Sequence, residues 1–262
     1  VNKRSYSKLN QLQRLLPEGM VADAAWLERH GYSSALRSQY VTAGWLNSPV
    51  RRVYCRGYGP LAWEQVILSL QQLEEMPLTV GGRTALEQQG YAHYLSANQH
   101  EVHLYGPMRP PNWLASLPLE VKFHWHNSQR LFPNHDCTHE PKPTMLEPSG
   151  ALKLPLRLSS KERAVLELLD ELPDRESFHQ VDALMEGVTD LSPRRLQSLL
   201  EECSSVKVKR LFFFFADRHR HIWRTKLNKA HIELGSGKRA LVKGGRLDPV
   251  YQITVPANLG EV

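Results

Sequence analysis

The sequence predicts a mixed α+β protein in which a small basic unit of three helices and a β-ribbon precedes a larger α/β domain. Three observations predict it. Positive charge collects in the first sixty residues, helix punctuation recurs there three times, and the last third shows three helical periods followed by a long apolar run.

A chain of 262 residues is long enough for two domains with cores of ordinary size. With 41% hydrophobic and 23% charged residues, its composition is that of a folded soluble protein. The three cysteines, Cys55, Cys137 and Cys203, are far apart and form no C-x-x-C, which argues against a disulfide framework and for a reducing, cytoplasmic setting. No apolar h-region follows the opening residues, so no signal peptide is expected. The longest strongly apolar run, Leu211 to Ala216, is too short to cross a membrane.

Charge is unevenly spread. Residues 1–60 hold nine Lys/Arg against three Asp/Glu, a net +6 that equals the charge of the whole chain. A second basic segment, Val206 to Arg246, holds twelve Lys/Arg and two acids, offset by acidic stretches before it. Basic segments bind phosphate by neutralising its charge and releasing counterions.

In the first unit, Leu9, Leu12 and Leu16 mark one helix face, and Pro17-Glu18-Gly19 ends the run. Asp23 is placed to cap a short helix, Ala24 to Arg29, stopped by His30-Gly31. Ser33 is placed to cap a third helix ending at Gly44. On that helix Leu36, Tyr40 and Ala43 share one face, and Ser34, Arg37, Ser38 and Val41 the other. Ser48-Pro49 reads as a turn and Val50 to Cys55 as a strand, with Arg51, Arg52 and Arg56 close by. Three helices with a Gly turn before the third, then a basic ribbon, describe a winged helix-turn-helix, whose third helix enters the major groove. The expected DNA contacts are Ser33, Ser34, Arg37, Ser38, Gln39 and Thr42 on that helix, with Arg51, Arg52 and Arg56 around the wing. Arg37 would meet a guanine edge or a phosphate. Tyr40 and Trp45 are expected in the packing.

A helical stripe, Trp63, Val66, Ile67, Leu70 and Leu73, follows and ends at Pro77. Gly81-Gly82-Arg83-Thr84 leads into a short helix, Ala85 to Gln89, with Thr84 as its cap; the spacing is not that of a P-loop. Tyr91 to Tyr105 reads as paired strands. The division is set at residues 1–93 for the DNA-binding part and 94–262 for the rest.

Ser159-Ser160-Lys161-Glu162 reads as a capping box before a helix bearing Val165, Leu168, Leu169 and Leu172. A second helix carries Phe178, Val181, Leu184 and Met185, and Ser192-Pro193 opens a third with Leu196, Leu199 and Leu200. Val206 to Phe215 is expected as a buried central strand. A helical layer on a sheet is preferred here over a second winged helix reading through Arg194 and Arg195.

The order of LNQLQRLLPEGMVADAAWLERHGYSSALRSQYVTAGWL, VYCRGYG, PLTVGGRTALEQQGYAHYL, VHLYGP, KVKRLFFFFADRHRHIW and YQITVP resembles the AbiEi antitoxins of type IV toxin–antitoxin systems, over nearly the whole chain from Leu9 to Pro256. The resemblance implies an N-terminal winged helix that represses its own operon at inverted repeats of operator DNA. It also implies a C-terminal antitoxin domain that antagonises a nucleotidyltransferase-like toxin, AbiEii, with no catalysis, no cofactor and no membrane partner. The basic segment then offers a surface: Arg218, Arg220, Lys238, Arg239, Lys243 and Arg246, the last four aimed outward by a Gly-rich loop. It could meet an acidic partner, a tRNA-like substrate of the toxin, or further DNA; it could equally be solvated.

Two clusters keep a metal-dependent nuclease open as the alternative. His124, His126, His135, Cys137 and His139 are all zinc-competent, but paired C-x-x-C or H-x-x-x-H spacing is absent, so no metal is expected. Glu120 and Lys122 form a strand-borne E-x-K with only Glu101 as an upstream acid, a tripeptide common by chance.

Overall fold

The structure is a computed structural model that describes residues 3–57, 59–91, 101–134 and 155–259. Its backbone forms two compact units, one built mainly from residues 1–78 and the other mainly from 79–107 and 158–262.

Unit one follows its punctuation. Helix α1 (Lys3–Leu15) buries Leu12, and Leu16 just beyond it is also buried; strand β1 (Val21–Asp23) and helix α2 (Ala24–Arg29) follow. Asp23 caps α2 as expected, accepting from the Trp26 amide at 2.7 Å. Helix α3 (Ser34–Thr42) is capped by Ser33, which accepts from the Leu36 amide at 3.3 Å. Strands β2 (Asn47–Val50) and β3 (Val53–Cys55) then form the hairpin, with sheet order β1–β3–β2. This is the winged helix-turn-helix, mixed α+β as predicted. Two details differ from the sequence reading. Ser48-Pro49 lies within β2, where an edge strand tolerates proline, and the turn is at Arg51-Arg52. The helix α4 (Trp63–Gln72) buries Val66, Ile67 and Leu70, and its Ser69 hydroxyl accepts from the Val21 amide at 2.9 Å, holding α4 to β1.

Unit two begins with β4 (Thr79–Val80) and α5 (Gly82–Leu86). Thr84 is inside α5 rather than at its cap; its hydroxyl accepts from the His103 amide at 3.0 Å. The sheet continues with β5 (Glu101–Gly106) and β6 (Lys122–Asn127) in the order β4–β5–β6. Helices α6 (Lys161–Asp170), α7 (Phe178–Gly187), α8 (Pro193–Glu202) and α9 (Val206–His219) follow, with α6 packed on α5, α8 and α9 and α7 on α9, and β7 (Arg246–Leu247) pairs with β8 (Thr254–Val255) near the end.

The expected strand Val206–Phe215 is instead the body of α9, so neither the strand nor a second winged helix forms there. Val208, Leu211, Phe212, Phe213, Phe215 and Ala216 are all buried, and a helix covered on most sides shows the same continuous apolar run as a central strand. The signals that decide are its length and Ser205, which caps it through the Val208 amide at 3.3 Å. The cap of α6 moves by one residue: Ser160, not Ser159, accepts from the Arg163 amide. Ser159 instead donates to Glu167, and Glu162 accepts from the Ser192 amide, so no capping box forms.

Unit two is organised by Glu167, fully buried with Arg163. One carboxylate oxygen accepts from Arg163 Nε at 2.8 Å and from Ser159 Oγ at 3.1 Å; the other accepts from the Gly82 amide at 2.9 Å. This ties α6 to the start of α5. Gly81 is required beside it, because a Cβ there would collide with the Glu167 carboxylate and the Tyr105 ring. Removing one member of a buried pair costs about 3–5 kcal/mol, since the other charge is left uncompensated. Glu167→Ala should therefore lower the unfolding free energy of this unit by an amount in that range, measured by urea titration. A loss below about 1 kcal/mol would show that Arg163 and the Gly82 amide find solvent.

Candidate nucleic-acid interface

The expected DNA contacts separate into two groups in the structure. Ser33, Ser34, Ser38, Gln39 and Thr42 are exposed along α3, and Arg51 and Arg52 are exposed at the tip of the β2–β3 hairpin. Arg37 is not with them. It is 5% exposed, its Nη1 donates to the Tyr32 carbonyl at 2.6 Å and the Ala24 carbonyl at 3.4 Å, and the guanidinium sits 5.8 Å from the centre of the Tyr54 ring. The expectation that Arg37 meets DNA is thus corrected. At about 100° per residue, position 37 falls closer to Tyr40 than to Ser38, so its side chain turns inward, where the carbonyls flanking α2 and α3 receive it. Arg56 is also drawn in, donating to the carbonyls of Gln13 and Leu16 at 3.1 Å each, so it ties the hairpin to α1.

Trp45 shows the opposite error. Expected in the packing, it is 49% exposed, because Gly44 at φ +76° turns the chain and Leu46 takes the buried position instead. Tyr40 is buried, as expected. Tyr32, also buried, has its phenol pushed up to about 12 by burial, so it stays protonated and donates to the Lys8 carbonyl. The hairpin tip is strained: Arg52 holds φ +67°, a left-handed conformation that bulky residues rarely adopt. Its carbonyl accepts from the Ala24 amide at 2.8 Å, locking the tip against α2.

The basic segment of unit two also divides. Arg218 is paired with Asp182 at 2.9 Å, Arg224 with Asp217 at 2.6 Å, and Lys207 with Asp170 at 3.4 Å. Arg210 is buried and donates to the carbonyls of Leu234, Gly235 and Gly237, shaping the Gly-rich loop from within. Arg220, Lys238, Arg239, Lys243 and Arg246 are exposed and make no ion pair among the described residues. Lys238, Arg239, Lys243 and Arg246 share one neighbourhood, since Arg239 bridges to Ile253 and Arg246 pairs with Val255. Arg218 therefore does not belong with the free cations.

The histidine cluster takes a form the sequence did not reveal. His126 Nδ1 faces Glu171 at 3.1 Å and its Nε2 faces His103 Nδ1 at 3.0 Å; His124 lies 3.3 Å from Glu101. His103, on β5, was missed; its alternation with Tyr105 in VHLYG was the available signal. Burial, with the neighbouring His126, pushes His103 down to about 3, so it is neutral near neutral pH. His103, His126 and Glu171 each offer a ligand atom within 4.8 Å of the others. The three groups are one fewer than the four of a closed zinc site and equal in number to the protein ligands of an open one. His135, Cys137 and His139 lie outside the described residues. Glu120 is exposed in the loop before β6 and Lys122 is exposed on it.

Family models match the chain along most of its length. Residues 5–97 match the N-terminal domain of the AbiEi antitoxin transcriptional regulators, and residues 99–256 match the transcriptional regulator AbiEi antitoxin of type IV toxin–antitoxin systems. The chain belongs to the AbiEi family. Among solved structures, the RV2827C protein from Mycobacterium tuberculosis is similar at a TM-score of 0.60 and 16% identity, covering 97% of this chain and 91% of that one, a likeness of fold. A comparison with curated protein sequences gave no match. No helix among the described residues is long and apolar enough to cross a membrane.

If Arg37 is a brace, Arg37→Met should destabilise unit one by about 2 kcal/mol, the scale of hydrogen bonds from a charged donor. Any weakening of DNA binding should disappear when affinity is measured well below the variant's unfolding temperature. A fully stable variant that no longer binds would return Arg37 to the interface.

Proposed function

We propose that this AbiEi protein is an antitoxin and autorepressor: its winged helix binds inverted repeats in its own operator, and its C-terminal part, residues 94–262, antagonises a nucleotidyltransferase-like toxin. The observation that carries the DNA half is the exposed face of α3, lined with neutral hydrogen-bonding side chains, next to a hairpin tip bearing Arg51 and Arg52. A helix in the major groove with a charged tip on the flanking phosphates is how this architecture is used. Ser33, Ser34, Ser38, Gln39 and Thr42 take the groove, and Arg51 and Arg52 the backbone.

The antitoxin half is supported by family membership together with the free cations of the Gly-rich loop, Lys238, Arg239, Lys243 and Arg246, with Arg220 as a further candidate. A repressor served by its winged helix has no need of this second basic surface. It suits an acidic patch on the toxin or the nucleic acid the toxin acts on.

Two full-length variants separate these roles. Arg51→Glu with Arg52→Glu should weaken binding to all duplexes and reduce the slope of log K against log salt by about 2, because each phosphate contact contributes about 0.9. It should leave toxin rescue intact. Charge reversal at Lys238, Arg239 and Lys243 should do the reverse: reduced growth rescue on co-expression with the neighbouring nucleotidyltransferase-like gene, and an unchanged gel shift on the upstream DNA. An unaltered salt slope in the first variant would remove the hairpin from the interface, and full rescue by the second would remove the loop from the toxin-facing surface.

A further inference from the structure

The burial of Arg37 leaves α3 without any exposed charge, and this bears on which base pairs the helix can read. Its solvent-facing residues are Ser34, Ala35, Ser38, Gln39, Val41 and Thr42, with Trp45 just beyond the end. Guanine in the major groove is most often recognised by Arg or Lys donating to O6 and N7, and α3 presents neither. Arg51 and Arg52 sit on the separate hairpin tip, placed for phosphates.

The groups α3 does present fit adenine and thymine. Gln39 is exposed, and its side-chain amide makes no hydrogen bond among the described residues, so it meets a ligand without breaking an internal contact. A carboxamide matches the N6 donor and N7 acceptor of adenine. Val41 is 38% exposed and Trp45 49%, an apolar strip on a face where polar residues would otherwise be expected. The floor of the major groove offers one apolar group, the C5-methyl of thymine. Gln39 and Val41 are two residues apart, about 200° around the helix, so they lie on opposite flanks of the exposed arc. Groups on opposite flanks of a helix in the groove face opposite strands, as the adenine edge and the thymine methyl of A·T pairs do.

Resting on the winged-helix reading above, we propose that α3 reads A·T pairs in its operator half-sites, Gln39 on the adenine edge and Val41, continued by Trp45, on thymine methyls. Ser38 and Thr42, between the two flanks, add hydrogen bonds that either pair can accept. The half-site is thus specified by neutral and apolar contacts, and charge sets affinity without setting sequence.

The test uses the intact protein and a duplex selected by it from a random-sequence pool. Replacing thymine by uracil removes only the methyl, and 7-deazaadenine removes only N7. Expected are A·T pairs at the helix-contacted positions of each half-site, and a fall in wild-type affinity of about 5- to 100-fold on 7-deazaadenine substitution, the range for one bidentate contact. Uracil should produce a smaller but clear loss. The paired variants decide the assignment: Gln39→Ala should be insensitive to 7-deazaadenine and Val41→Ala to uracil. A selected site with G·C at those positions, or equal sensitivity of wild type and variants, would overturn the A·T assignment while leaving the winged helix as a DNA reader. Failure to select any sequence would overturn both.

Discussion

The direction in which Arg37 points governs how the first unit works. Its guanidinium joins the carbonyls of Ala24 and Tyr32, one at the start of α2 and the other just before α3, so one side chain holds the two helices of the helix-turn-helix together. The same inward turn brings it over Tyr54 of the hairpin. Because the only basic residue of α3 is used in this way, the exposed helix face is neutral, and positive charge moves to Arg51 and Arg52. In the proposed DNA complex, positioning by charge and reading by uncharged groups would thereby be divided between two elements.

Unit two applies the same economy of buried charge. Glu167 gathers an arginine, a serine hydroxyl and a backbone amide at the junction of α5 and α6. Arg210 lies beneath the Gly-rich loop and satisfies three of its carbonyls. With that cation inside and Arg218 tied to Asp182, the surface charge near the loop is left to Lys238, Arg239, Lys243 and Arg246. A net charge counted along the sequence therefore overstates what a partner would meet.

Local grammar was the most legible part of the sequence. Asp23 and Ser33 cap the helices they were expected to cap, and Gly31 and Gly44 turn the chain at positive φ where the sequence breaks the helices. These signals are local, so they survive without knowledge of the tertiary surroundings. Not every local signal held: Ser48-Pro49 lies in a strand, Thr84 is inside α5, and the capping box at Ser159 does not form. The larger errors came where tertiary context decides. Arg37 lies near the edge of its helical wheel, and only the carbonyls opposite determine that it turns in. The run LFFFF reads as strand by residue type but is buried as helix, where packing overrides propensity. His103 escaped notice because its partners, His126 and Glu171, are distant in sequence and come together only through the sheet and the end of α6.

The claim that the outer face of α3 meets DNA is tested most directly by placing one negative charge at its centre. Ser38 is exposed on α3, so Ser38→Glu should leave the circular dichroism spectrum and unfolding midpoint of the full-length protein unchanged. A carboxylate there would face the phosphates and the acceptor-rich groove floor, and the gel shift on the upstream DNA should be lost at protein concentrations that saturate the wild type. Wild-type affinity in the Ser38→Glu protein would contradict the account and place the DNA-binding surface elsewhere.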